Sequence, residues 1–163
     1  MSAAVPKVSA GLVMYRVQAG KVEMLLVHPG GPFWAKKDEG AWFIPKGEIA
    51  AGEEALATAK REFEEETGIR RAGNFISLGS IRHKSGKVVH AWAFEGSCDP
   101  SAVRSNTFSI EWPPRSGKKR EFPEVDRAGW FTLEAARSKI QRDEFELLER
   151  LQERLGTAPQ EKN

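Results

Sequence analysis

The chain has few of the features that would place it outside a reducing, aqueous compartment. It holds a single cysteine, Cys98, which excludes an internal disulfide and fits the cytoplasm. Its setting, "EGSCDP", is a strand exit into a loop and suits a structural role. No apolar run approaches the roughly 18 residues that a membrane span needs. The N-terminus, "MSAAVPKVSAG", has no charged start followed by a long apolar stretch, so no secretion signal is expected. Net charge is only +2, so the chain as a whole does not read as a DNA binder. The three histidines, His28, His83 and His90, have no metal-ligand spacing among them. Internal repeats and low-complexity tracts are absent.

What is present is an ordinary globular composition, 40% hydrophobic and 29% charged over 163 residues, enough for one domain with its own core. Residues 1–155 are expected to form that domain and 156–163 a frayed tail. Two β-rich runs, Val8–Val17 and Val22–His28, flank a turn. A loop, Pro29–Gly40, leads to a short strand at Ala41–Ile44 and a glycine-punctuated loop, "PKGEIAAGE". A helix over Glu53–Thr67 follows, with Gly68 as its stop. Two more strands lie in "FISLGSIRH" and "KVVHAWAFEG", another in "SNTFSIEW", then a basic loop, "PPRSGKKR", and a brief strand, "RAGWF". Thr132 and Asp143 are placed to cap two final helices. Strands, one helix, more strands and then helices make a mixed α/β order, not a strict βαβ alternation.

The stretch "KREFEEETGI" concentrates four glutamates in five residues, although like charges at i,i+4 repel by about 0.2–0.5 kcal/mol. At 100° per residue, Leu56, Ala59 and Phe63 share the face that packs on a sheet. Glu62, Glu65 and Glu66 share a neighbouring face, and Glu64 and Lys60 point away. Converging carboxylates suit a hard divalent cation, which takes oxygen ligands; taken alone they read first as a solvated acidic face, as most charge runs are.

The wider spacing decides between these. Gly47, Glu53, Arg61-Glu62, the hydrophobic Phe63, Glu65-Glu66, Gly68 and Ile69 resemble, position for position, the signature box of the Nudix hydrolase superfamily. From average residue usage, seven fixed identities would coincide about once in 10⁸ starts. The resemblance implies an α/β/α sandwich around a mixed sheet, and hydrolysis of a nucleoside diphosphate linked to another group. Mg²⁺ (or Mn²⁺) would be the cofactor, with Glu62, Glu65 and Glu66 as ligands and a metal-activated water as nucleophile. Gly47, Glu53, Arg61 and Gly68 would serve structure. By the same resemblance Glu124, six residues before Trp130, is a candidate base or outer ligand, with Glu121, Glu111 and Glu62 as alternatives.

Candidate substrate contacts are Lys46 beside the box, Phe33, Lys36 and Lys37 in the first long loop, and Arg115, Lys118, Lys119 and Arg120 in the basic loop. Arg forks and Lys point charges suit phosphate oxygens, and an exposed aromatic could stack on a base. Trp34 is read as a core anchor of its loop. The lead-in "WFIPKGE" is similar to that of diadenosine polyphosphate hydrolases, yet the tyrosine that branch carries downstream is missing, Tyr15 being the sole tyrosine. Lys84 stands where ADP-ribose hydrolases have proline. The basic loops favour a nucleoside tri- or polyphosphate substrate. The alternatives are an RNA 5′-end pyrophosphohydrolase, which would need a continuous basic surface that Lys36, Lys37 and the Arg115–Arg120 loop leave open and which is not favoured, and a non-catalytic nucleotide-binding regulator, which the intact set of glutamates opposes.

Overall fold

Along Val8–Gln18 (β1) the side chains divide between two buried faces: Ala10, Leu12 and Met14 join one hydrophobic cluster, Val13 and Tyr15 another. A strand buried on both sides reads as a nearly continuous apolar run, as "SAGLVMY" does. The next strand, β2 (Lys21–Pro29), repeats the division, with Leu25 on the first face and Met24 and Leu26 on the second. The computed structural model describes residues 7–70 and 73–156.

The remaining elements are β3 (Lys46–Glu48), α1 (Ala55–Thr67), β4 (Ile76–Arg82), β5 (Val88–Glu95), β6 (Thr107–Glu111), β7 (Lys119–Pro123), β8 (Val125–Thr132), α2 (Leu133–Lys139) and α3 (Phe145–Gly156). The main sheet has six strands in the order β4-β5-β1-β2-β8, with β3 also on β1. β1 and β5 are parallel and every other pairing is antiparallel, so the sheet is mixed. Ala59 and Phe63 of α1 cover one face, and Leu147, Leu148 and Leu151 of α3 cover the other with Ala136 of α2. This is an α/β/α sandwich.

β1 serves two partners on one edge. Its second half pairs with β2 (Tyr15↔Met24) and its first half with β3 (Ala10↔Gly47). The fork opens because β2 pairs with β1 only over Lys21–Met24, while further along Val27 bridges Phe43, which lets the chain after Pro45 enter beside β1. Gly11 permits that entry: a Cβ there would lie 2.6 Å from the Pro45 carbonyl oxygen. The strand expected at Ala41–Ile44 is therefore displaced to Lys46–Glu48. Ala41–Ile44 makes only single bridges, Phe43 to Val27 and Trp42 to Ile140, since Pro45 has no N–H to extend a ladder.

Other expectations are corrected at the same level. The basic "loop" belongs to a second, two-stranded sheet, with Ile110 opposite Arg120 and Glu111 opposite Lys119. β7, "KREFP", has too little alternation to be legible as a strand. Thr132 caps α2 as expected, its hydroxyl accepting from the Ala135 N–H at 3.2 Å. Asp143 caps nothing: it lies in a 3₁₀ turn (Arg142–Glu144) and accepts from the Lys84 N–H. The helix expected from Glu144 begins at Phe145 and runs through Gly156. The tail from 157 onward lies outside the described residues. Among the described residues no helix is long and apolar enough to cross a membrane.

Candidate active site

α1 begins at Ala55, with Glu54 at its N-cap and no side-chain cap bond. Glu53 is occupied elsewhere: both its oxygens take hydrogen bonds from Arg61, at 2.9 and 3.1 Å. The Arg61 guanidinium holds the Glu53 carboxyl down to about 2, and Glu53 in turn raises Arg61. The helix ends at Gly68, whose φ of +78° is the left-handed conformation that glycine adopts without strain, and whose N–H returns to the Glu64 carbonyl at 2.7 Å. Glu53 and Arg61 thus tie the loop before α1 to the helix, and Gly68 closes its C-terminal end.

Phe63 buries one face of α1, and on the neighbouring face Glu62 and Glu66 meet β3 while Glu65 meets Arg61. Glu62 lies against Gly47 so closely that a Cβ there would stand 2.0 Å from its carboxyl carbon. Glu66 is buried, 8% exposed, and accepts from the Lys46 backbone N–H at 3.2 Å. Burial pushes its carboxyl up to about 8, opposed by Lys46 and reinforced by Glu62 and Glu124. Burial and then the Glu65 charge raise Glu62 as well. Glu124 is raised by partial burial of its carboxyl and by Glu65. The four carboxylates thus sense one another, although Glu124 lies far along the chain. Glu111, an alternative to it, closes the β6–β7 turn by accepting from the Gly117 N–H at 2.6 Å, and Glu121 sits exposed on β7.

The link that brings Glu124 to the helix was not legible in the sequence. Asn106, expected to lie within a strand, donates its N–H to the Glu65 carbonyl at 2.8 Å and accepts from the Glu124 N–H at 2.8 Å. Next to it, the Ser105 hydroxyl accepts from the Val125 N–H at 2.9 Å. Only a backbone bridge is involved, so residue type carries no signal.

Among the described residues no three acidic, histidine or cysteine side chains stand ready to hold a metal ion. The reason is visible: Arg61 Nη1 draws in Glu62 and Glu65, at 2.9 and 3.1 Å, while Glu66 turns to the Lys46 N–H. The donor set nevertheless fits such an ion. All the donors are carboxylates, on top of burial the Glu65 charge raises Glu62 and the Glu62 charge raises Glu66, and without a Cβ at Gly47 the Glu62 carboxyl lies directly against the loop backbone, a setting rich in the oxygen ligands a hard cation takes.

The expected substrate contacts are scattered. Lys46 sends its ammonium to the buried Glu144 at 2.7 Å. Phe33 is 64% exposed and meets Trp112 of the hairpin edge-on at 5.4 Å. Trp34, read as a core anchor, is instead 41% exposed, with Lys37 Nζ 5.3 Å from its ring. The anchoring falls to Trp42 and to His28, which is fully buried and spans Asp126 and the Lys37 carbonyl. Lys36, Arg115, Lys118, Lys119 and Arg120 are exposed on the loop and hairpin. Cys98 packs on the α1 side of the core.

Residues 5–151 match the NUDIX domain. The chain belongs to the Nudix family. Among solved structures, this Nudix chain resembles a Caenorhabditis elegans Ap4A hydrolase binary complex (25% identity, 91% of this chain and 98% of that one, TM-score 0.66). The NUDIX domain of Shewanella oneidensis NrtR, complexed with ADP ribose, shares the fold (19% identity, 93% and 90%, TM-score 0.65). In sequence, the chain is 40% identical over 63 residues to a C. elegans bis(5′-nucleosyl)-tetraphosphatase (asymmetrical), covering 39% of this chain and 41% of that protein. It is also 30% identical over 101 residues to a Myxococcus xanthus octanoyltransferase, covering 62% of this chain and 25% of that protein. The Nudix chain thus spans less than half the length of these two relatives.

Proposed function

We propose that this Nudix chain is a Mg²⁺-dependent pyrophosphohydrolase acting on nucleoside tri- or polyphosphates, such as diadenosine polyphosphates. The observation that carries the reading is the crowding of Glu62, Glu65, Glu66 and Glu124, with the Glu62 carboxyl set directly against Gly47. Such crowding opposes stability unless a cation joins it.

Glu62, Glu65 and Glu66 would hold Mg²⁺ or Mn²⁺. Bound there, the ion supplies Lewis-acid stabilisation of phosphate oxygens and lowers the pKa of water. Glu66 gives up its proton to bind, so affinity rises with pH through its value near 8. Glu124, bonded through its backbone to Asn106, takes the proton of the attacking water on its carboxylate. Its raised affinity for protons, from partial burial and the Glu65 charge, suits a general base. Arg61, once its hold on Glu62 and Glu65 is shared with an ion, retains Glu53 and keeps loop and helix together. The polyphosphate preference draws on the exposed cations Lys36, Lys37, Arg115, Lys118, Lys119 and Arg120, and on the likeness to the C. elegans Ap4A hydrolase.

The test is product analysis with Mg²⁺ over diadenosine tetraphosphate, oxidised and normal nucleoside triphosphates, nucleotide sugars, diphosphoinositol phosphates and 5′-triphosphorylated RNA. One substrate cleaved far faster than the others by the native chain, and not by Glu66→Gln, supports the reading. Nucleotide binding without cleavage of any member refutes it in favour of a regulatory module.

A further inference from the structure

Glu144 is a fully buried carboxylate that belongs neither to the box nor to the hydrolysis proposed above. A charge taken out of water is costly unless it is closely partnered, so its contacts are informative. Oε1 accepts from the Ile44 N–H at 3.0 Å. Oε2 lies 2.7 Å from Lys46 Nζ and 3.7 Å from His83 Nε2. The residue closes the 3₁₀ turn before α3, 100 positions along the chain from Ile44. It thus grips the chain on both sides of Pro45, where that chain enters the fork beside β1.

Lys46 stands between this carboxylate and the glutamates of α1. Its backbone N–H donates to Glu66 Oε1 at 3.2 Å, while its ammonium lies 4.7 Å from the Phe43 ring and pairs with Glu144. The side chain is only 14% exposed. Burial raises the Glu66 carboxyl and the Lys46 charge opposes that rise, which puts the ammonium within electrostatic reach of the cluster. An ammonium so close competes with a metal ion, because it neutralises a carboxylate from within the chain. Arg61 poses the same problem on the other flank, with Nη1 on Glu62 and Glu65. There Glu53 takes the guanidinium on both oxygens, at 2.9 and 3.1 Å. Both of these cations therefore have a carboxylate of their own outside the cluster.

We propose that Glu144 is a positioning residue of the metal site: paired with Lys46, it holds that ammonium off the α1 glutamates and cancels its charge, so that a divalent cation neutralises them instead. The inference rests on the metal reading above and adds to it a residue from the far end of the chain. Seating the Ile44 N–H alone would be a structural role. That role survives in Glu144→Gln, whose amide oxygen accepts the same bond, whereas the counter-charge is lost.

Titration of the nucleotide-free full chain with Mn²⁺ near neutral pH, read from the paramagnetic resonance signal of the free ion, separates the two roles. Glu144→Gln should bind Mn²⁺ about tenfold more weakly than the native chain, the effect of a freed unit charge near a divalent ion at an effective dielectric between those of protein and water. Adding Lys46→Met removes the freed charge and should return the affinity to within about twofold of native. Uncharged groups in place of a buried ion pair commonly fold, whereas one unpartnered charge is strongly destabilising. The double variant therefore decides the matter where circular dichroism shows Glu144→Gln alone unfolded, and binding more than about fivefold weaker than native would then overturn the inference. Native affinity in a folded Glu144→Gln, or a weakening that Lys46→Met does not relieve, overturns the inference and leaves the metal reading standing. Absence of Mn²⁺ binding by the native chain overturns the metal reading, and this inference with it.

Discussion

Replacing Glu66 with glutamine should make the metal-free protein more stable at pH 8 and leave it nearly unchanged at pH 5. Glu66 is 8% exposed, and its carboxyl is pushed from the ordinary 4.5 up to about 8. Between those values the folded protein keeps a proton that the unfolded chain has released. Stability therefore falls as pH rises through that window. At about 1.36 kcal/mol for each tenfold change in proton affinity, the full span from 4.5 to about 8 sets an upper bound of about 5 kcal/mol. A glutamine at this position carries no charge at any pH and can still accept from the Lys46 N–H. Urea denaturation of both proteins in EDTA, at intervals from pH 5 to 8.5, isolates the effect, since other groups largely cancel in the difference. The two should agree at pH 5 and diverge by about 2–5 kcal/mol at pH 8. Added Mg²⁺ at pH 8 should restore the native chain far more than the variant. A difference that stays constant with pH would refute the idea that burial and crowding raise Glu66.

Three further outcomes are expected. Gly47→Ala places a methyl 2.0 Å from the Glu62 carboxyl carbon, so circular dichroism should be unchanged while kcat falls by about 10²-fold, the effect of an ångström-scale misplacement. Glu124→Gln should lower kcat by about 10²–10⁴-fold with KM little altered; steady-state kinetics in which only KM moves would assign Glu124 to binding. Thr132→Ala removes the hydroxyl that accepts from the Ala135 N–H and should cost about 1 kcal/mol, read as a drop in Tm of a few degrees with activity retained.

The local rules needed no tertiary structure. The face of Leu56, Ala59 and Phe63, the stop at Gly68, the Thr132 cap and the sorting of Glu62, Glu65 and Glu66 follow from helical period and residue chemistry, which act within a few positions along the chain. The box spacing was legible for the same reason: its glycines and acids lie within 23 residues of Gly47–Ile69. Other features came from distant segments meeting. Trp34 lies within a turn and Trp42 just after one, yet Trp42 is 5% exposed and Trp34 41%, because the fork between β1 and β2 draws in only the chain near Pro45. Glu144 read as the first residue of the last helix; folding seats it beside Lys46, where a buried carboxylate needs donors. Asn106 joins Glu65 to Glu124 through backbone groups that every residue carries. Helical period and box spacing set the helix, the glutamates it sorts and the family they belong to. Tertiary structure alone decided which distant groups would share a site, since that depends on where the sheet forks and which loops it brings together.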